Sequence, residues 1–225
     1  MKSCVIVPTR GRPENMARLA ASFVATDAHA DLYAVIDNDD PLLDQYLANK
    51  DYTSLVIDNT TGGCAKALNG GAQIVLNCSV YPFYDIFIFM GDDGLPQTLN
   101  WDQAFEKALL GKSGFAFGDD LIQGENLPTQ FAVTRDIVER MQGIAPPGIT
   151  HLYVDNFAKQ FGTDLGCLIY LPEVVIEHLH PMVNKAEWDE GYYRANSETL
   201  YKEDLLAMQI YLRSSEYADI VNALK

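Results

Sequence analysis

The chain has 225 residues, 48% apolar and 11% aromatic, with 16 Lys and Arg against 31 Asp and Glu, giving a formal net charge of −15. This is the composition of a folded globular chain rather than of a disordered one, and the acid excess excludes binding to bare nucleic acid, which needs clustered Lys and Arg. No run approaches the ~20 apolar residues of a membrane span, the longest being Ile86 to Met90, and Met1 to Pro8 is too short for a secretory signal, so a cytoplasmic location is expected.

Short apolar runs alternate with helical patterns through the first half, the mark of βαβ units and a mainly parallel sheet. Ser3 to Val7 reads as a buried strand. Met16, Leu19, Ala20 and Phe23 then form one apolar stripe behind Pro13 and Glu14, which suit a helix's first turn. A second strand, Leu32 to Ile36, ends in Asp37-Asn38-Asp39-Asp40, with a short helix after Pro41. A third, Ser54 to Ile57, runs into Asp58-Asn59-Thr60-Thr61-Gly62-Gly63 and a helix marked by Ala65, Leu68, Ala72, Val75 and Leu76. The fourth, Asp85 to Met90, stops at Gly91-Asp92-Asp93-Gly94. All four strands end on polar clusters, and the carboxyl ends of strands are where open α/β sheets hold ligands.

Beyond residue 98 the pattern predicts a helix over Trp101 to Leu110, a strand over Gly114 to Phe117 and a loop through Gly118, Gly124 and Pro128. A helix from Thr134 to Met141, one starting near Asp155, and two strands, Cys167 to Leu171 and Val174 to His178, follow. Tyr201, Leu205, Met208 and Leu212 mark an amphipathic tail helix that packs on the body or on a second subunit, giving a homo-oligomer in the latter case. The cysteines, Cys4, Cys64, Cys78 and Cys167, form no CxxC pair and read as reduced thiols.

Asp92 and Asp93 follow a buried strand, where adjacent carboxylates repel unless a cation or proton relieves them. Mn²⁺ or Mg²⁺ suits them, since these ions take oxygen ligands and keep positions open for a substrate's phosphates; a plain turn is the alternative. His178 and His180 alternate onto one strand face and offer a nitrogen ligand, the alternative being a hydrogen-bonded surface pair.

The order Val5-Ile6-Val7-Pro8-Thr9-Arg10, the acids after the second strand, Thr61-Gly62-Gly63 with Ala67-Leu68-Asn69-Gly70-Gly71, and Phe89-Met90-Gly91-Asp92-Asp93-Gly94 resemble the family-2-like glycosyltransferases of the GT-A fold. The resemblance covers about the first 95 residues. It implies an α/β, Rossmann-like sheet flanked by helices, and a metal-dependent hexosyltransferase-type enzyme. A sugar would move from a nucleotide-diphosphate sugar, a UDP-sugar foremost, to an acceptor hydroxyl of unknown identity. Carried over by position, it implies Pro8, Thr9 and Arg10 along the nucleotide, Asp37 and Asp39 at base or ribose, and Lys66 in place of the family's basic residue in the third unit. It also implies Asp93 as ligand to Mn²⁺ or Mg²⁺, with Asp92 beside it in a DxD-like motif whose first place is Gly91. A late histidine, His178 or His180, would complete the metal, Lys185 would help to neutralise the leaving diphosphate, and Asp155 would be the general base, with a helix N-cap as its alternative role.

The expected organisation is one catalytic domain over 1–195, with a nucleotide-sugar half (1–97) and an acceptor half (98–195), then a helical tail (196–225). Three other readings stand beside it. A sugar-phosphate nucleotidyltransferase would carry a glycine-rich first loop, where this chain has only Gly11. RNA polymerases share Gly-Asp-Asp, but they are larger and need basic channels. A non-catalytic nucleotide-sugar-binding module would bind without turnover.

Overall fold

The computed structural model of the protein describes residues 1–58 and 63–225. Thr61 and Gly62 of the Thr61-Gly62-Gly63 motif therefore lie outside the described residues. An eight-stranded sheet runs in the order β3-β2-β1-β4-β7-β6-β8-β5, with β1 Ser3–Thr9, β2 Asp31–Asp37, β3 Thr53–Ile57, β4 Ile86–Phe89, β5 Gly94–Pro96, β6 Phe115–Asp119, β7 Phe131–Thr134 and β8 Leu168–His178. β3, β2, β1 and β4 are parallel, β7 is antiparallel to both β4 and β6, β8 is parallel to β6, and β5 is antiparallel to β8. The α/β architecture expected from the alternating pattern is the one found.

The sheet is buried on both faces because its central strands are apolar at successive positions. In β1, Cys4 and Ile6 join one core with Tyr33, Val35 and Phe87, and Val5 and Val7 join the other with Ala34, Ile36 and Ile88. Helices α1 (Pro13–Ala25), α2 (Leu43–Ala48) and α4 (Trp101–Leu109) cover the second core; α3 (Cys64–Asn77), α5 (Arg135–Met141) and α6 (Val154–Leu165) cover the first. At Gly71 the α3 backbone presses so close that a Cβ would fall on the Val35 side chain. Asn69 of the same motif holds the following loop: its amide oxygen accepts from the N–H groups of Ile144 (2.7 Å) and Ala145 (2.8 Å).

Two strands escape the sequence pattern. β7, Phe-Ala-Val-Thr, falls where a loop and helix start are expected, and it is buried throughout between β4 and β6, so it shows no alternation. β5 has only three residues. The two strands expected over 167–178 are one, β8, whose register against β6 jumps from Gly118–Leu171 to Asp119–Val175. Pro172, which has no N–H to donate, sits at that break.

The tail contains α7 (Glu190–Ala195), α8 (Glu198–Leu212) and α9 (Ser215–Leu224) rather than a single helix. Ser214 caps α9 by accepting from the Tyr217 N–H at 3.1 Å. Tyr211 and Tyr217 pack on Phe157 and Phe161 of α6, with ring centroids 5.9 Å (Phe157–Tyr211) and 5.3 Å (Phe161–Tyr217) apart. Part of the tail's apolar surface is thus covered within the chain, while Tyr201, Leu206 and Ile210 remain exposed. Among the described residues, no helix is long and apolar enough to cross a membrane.

Candidate active site

The carboxyl ends of β1, β2 and β4 open on a cleft of about 360 Å³, closed on its far side by the 151–155 segment, the end of β8 and α7. After β1 the chain turns at Gly11, whose φ of +70° is one an L side chain seldom adopts. Its N–H donates to the buried Asp40 carboxylate at 2.8 Å. That turn sends Arg10 and Arg12 into the cleft. Arg10 donates to Asp37 (3.0 Å) and Asp39 (2.5 Å), and the hydrogen bond to Asp39 foremost raises its pKa. Pro8, Thr9, Arg10 and Asp37 line the cleft; Asp39 is exposed and reaches it only through Arg10.

Asp92 and Asp93 are 5% and 8% exposed. Their environments differ. Asp92 accepts from the Thr9 hydroxyl at 2.8 Å and from Arg12 at 3.2 Å, yet burial dominates and pushes its pKa up, with Asp93 adding to the rise. Burial works against Asp93 too, but His178, the Tyr192 hydroxyl and Arg12 outweigh it and hold its carboxyl below the usual range. Tyr192 donates to Asp93 Oδ2 at 2.7 Å, and His178 Nε2 lies 3.3 Å from the same oxygen. A Cβ at Gly91 would strike Asp93 Oδ1, which accounts for glycine in the first place of the DxD-like motif.

The two histidines part company. His178 ends β8 with Nδ1 3.9 Å from Asp120 Oδ2; burial would lower its pKa, but Asp120 and Asp93 hold it at about 10. His180 lies past the strand end, where its Nδ1 accepts from the Met182 N–H at 3.2 Å, and its ring meets those of His178 and Tyr192 edge-on. Asp93 and His178 together form an oxygen-plus-nitrogen donor pair that fits Mn²⁺ or Mg²⁺. Among the described residues no group of three His, Cys, Asp or Glu side chains is assembled to hold a metal.

Asp155 also lines the cleft, in the first turn of α6. It is not the helix cap: Tyr153, at φ +66°, occupies that position, and the Asp155 carboxylate accepts from the Asn156 N–H at 2.7 Å. Burial raises its pKa. Lys66 is exposed and Lys185 is ion-paired to Glu177; neither lines the cleft.

Four residues the sequence did not single out matter here. Arg12 donates from Nε and Nη2 to the two oxygens of Asp189, each at 2.7 Å, and stacks 4.0 Å from the Tyr192 ring centroid. It shares a loop with Arg10, so the loop's basic character was its signal. Asp189 and Tyr192, on α7's first turn, had none. Asp204 on α8 is 1% exposed and accepts from the N–H groups of Thr150, His151 and Leu152 at 2.8, 2.9 and 2.8 Å, fixing the segment that leads into Asp155.

No family model and no curated protein matches the chain. Solved structures do. S. aureus TarS 1-349 in complex with UDP-GlcNAc superposes with a TM-score of 0.63 at 13% identity, over 100% of this chain and 71% of that one. Glucosyl-3-phosphoglycerate synthase from Mycobacterium tuberculosis, in complex with Mn²⁺, UDP and phosphoglyceric acid, gives 0.62 at 12% identity over 92% of this chain and 78% of its own. The chain has the GT-A fold. A putative glucose-1-phosphate thymidylyltransferase from Bacillus anthracis, in complex with sucrose, matches more loosely, with a TM-score of 0.51 at 11% identity over 96% and 99% of the two chains. The paired acids after β4 and the loop after β1 lie side by side at the mouth of one cleft, joined by the Thr9–Asp92 and Arg12–Asp92 hydrogen bonds.

Proposed function

We propose that the protein is a metal-dependent glycosyltransferase of the hexosyltransferase type, which moves a sugar from a nucleotide-diphosphate sugar, foremost a UDP-sugar, to an acceptor hydroxyl. The observation that carries this reading is the meeting, in one cleft, of a carboxylate–imidazole pair (Asp93, His178), two arginines (Arg10, Arg12) and a separate half-buried carboxylate (Asp155). UDP complexes of two structures with the same fold add support.

In this reading the nucleoside lies along Pro8, Thr9 and Arg10, with Asp37 and, through Arg10, Asp39 at its base or ribose. Asp92, fixed by Thr9, borders the ribose. Asp93 and His178 would hold Mn²⁺ or Mg²⁺ against the diphosphate, and the bound ion supplies Lewis-acid neutralisation of the leaving group. His178 would have to be neutral to serve as a nitrogen ligand, while His180 is engaged with its own turn. Arg12 adds positive charge beside the diphosphate, the part first assigned to Lys66 and Lys185. Asp155 takes the proton of the acceptor hydroxyl as the new C–O bond forms and the nucleoside diphosphate leaves. Its raised pKa makes it a better base than an exposed carboxylate.

A thermal-shift panel of nucleotide-sugars with Mn²⁺, followed by a transfer assay on the hits, tests the assignment. A ligand present at 100 times its Kd stabilises by about 2.7 kcal/mol. Stabilisation by a nucleotide-sugar and release of free nucleoside diphosphate on adding acceptor are the expected results. Release of pyrophosphate from a nucleoside triphosphate and a sugar phosphate would mean nucleotidyl transfer instead, and binding without turnover would mean a non-catalytic module.

A further inference from the structure

Gln130 sits just before β7, beside the turn that carries the paired acids. It lines the cleft, it is 5% exposed, and both polar atoms of its side-chain amide are buried with no hydrogen-bond partner among the described residues. Its neighbours are placed to keep it so. Thr129 is committed to Asp120, and a Cβ on Gly94 would run into the Gln130 amide oxygen. Other buried polar atoms without partners, on Tyr52, Trp101 and Asp102, belong to residues that do not line the cleft. Buried amides are paired almost without exception in folded proteins, so an orphaned one at a binding cleft points to a partner that arrives with the ligand.

We infer that Gln130 is a specificity residue that reads a hydroxyl of the transferred sugar. A side-chain amide carries both a donor and an acceptor, and a hydroxyl is the ligand group that is likewise both. Phosphate offers only acceptors to such a group, and the cleft's arginines already serve anions. Gly94 follows Asp93 directly in the chain, so the amide that abuts it sits beside the turn carrying the carboxylate assigned to the diphosphate. The inference rests on the cleft being a nucleotide-sugar site. It adds that the sugar is selected by hydrogen bonding at a buried point rather than tolerated by shape, the arrangement that rejects an analogue lacking the hydroxyl most strongly.

Gln130→Met keeps length and volume while removing both polar atoms. Calorimetry with Mn²⁺ present would compare Kd for UDP, UDP-glucose, UDP-galactose and UDP-N-acetylglucosamine in the wild-type protein and the variant. The expected result is unchanged UDP affinity and a loss of roughly 10-fold or more in the affinity of the preferred UDP-sugar relative to UDP. Ratios within twofold of wild type for every sugar, or an equal loss for UDP itself, would overturn the inference while leaving the donor site standing. Failure of the wild-type protein to bind UDP or any of the sugars would instead overturn the functional reading on which the inference rests. A second readout needs no nucleotide. Removing an unpaired buried amide should leave the melting temperature of the free protein equal or higher, whereas a clear drop would show the amide to be paired within the protein and would also overturn the inference.

Discussion

On one wall of the cleft, Thr9, Asp92 and Asp93 stand at the carboxyl ends of β1 and β4, neighbouring strands of the sheet's parallel portion. On the other, His151 and Asp155 stand on a loop and a helix start, held from behind by Asp204 of the tail, while Tyr192 reaches in from α7, which Asp189 caps. The first wall is fixed by ladder hydrogen bonds and a buried core. The second is fixed by a few long-range side-chain contacts, whose partners lie 53 and 99 residues apart for Asp204–His151 and Tyr192–Asp93. In the proposed reading, the donor-side chemistry stands on the strand ends and the acceptor side on the loop-and-helix wall.

The largest expected effect separates the walls functionally. Asp155→Asn should lower kcat by about 10²–10⁴-fold, the usual worth of a general base, with donor Kd and melting temperature little changed because the residue does not cap α6. The wild-type rate should fall as the pH drops through the raised pKa of Asp155, placing the acidic limb above the ordinary ~3.9 of an aspartate. That limb should vanish in the variant. A kcat–pH profile of both proteins checks it.

On the donor wall, His178→Ala should weaken Mn²⁺ binding by at least ~10-fold, as loss of a ligand or its support does. His180→Ala should stay within about twofold. Manganese titrations followed by electron paramagnetic resonance would show the inequality, and equal losses would contradict the division of roles.

Stability should break at the acceptor wall first. Asp204→Ala removes a buried carboxylate that three partly buried N–H groups share, so a loss of about 1–3 kcal/mol is expected in urea unfolding. Asp189→Asn removes only a half-exposed partner of Arg12 and should cost about 1 kcal/mol or less.

The legibility of the site follows the same division. Thr9, Arg10, Asp92, Asp93 and the acids after β2 were readable because each falls immediately after a strand whose apolar run announces its end. Asp155 and the histidines were readable only as candidates, since which histidine meets Asp93 depends on where β8 stops and on the bulge at Pro172. Lys66 is the nearest substitute for the family's basic residue in the third unit and Lys185 a candidate by its charge; Lys66 is exposed and Lys185 is paired with Glu177, and neither lines the cleft. Arg12 lines the cleft beyond the positive φ of Gly11, a backbone property that composition does not display. β7, Tyr192 and Asp204 were invisible for another reason: their roles depend on partners far away in sequence, and nothing in the local pattern marks them.

Coupling of metal and donor at Asp93 is the central expectation. Isothermal calorimetry of a UDP-sugar found in the thermal-shift panel, run in Mn²⁺ and in EDTA on wild type and Asp93→Asn, measures that coupling. Wild-type affinity should drop by on the order of 10²-fold in EDTA, a loss in the range of one removed electrostatic contact to a reacting group, and the variant should bind weakly and equally in both buffers. Equal wild-type affinity in Mn²⁺ and EDTA would contradict the account.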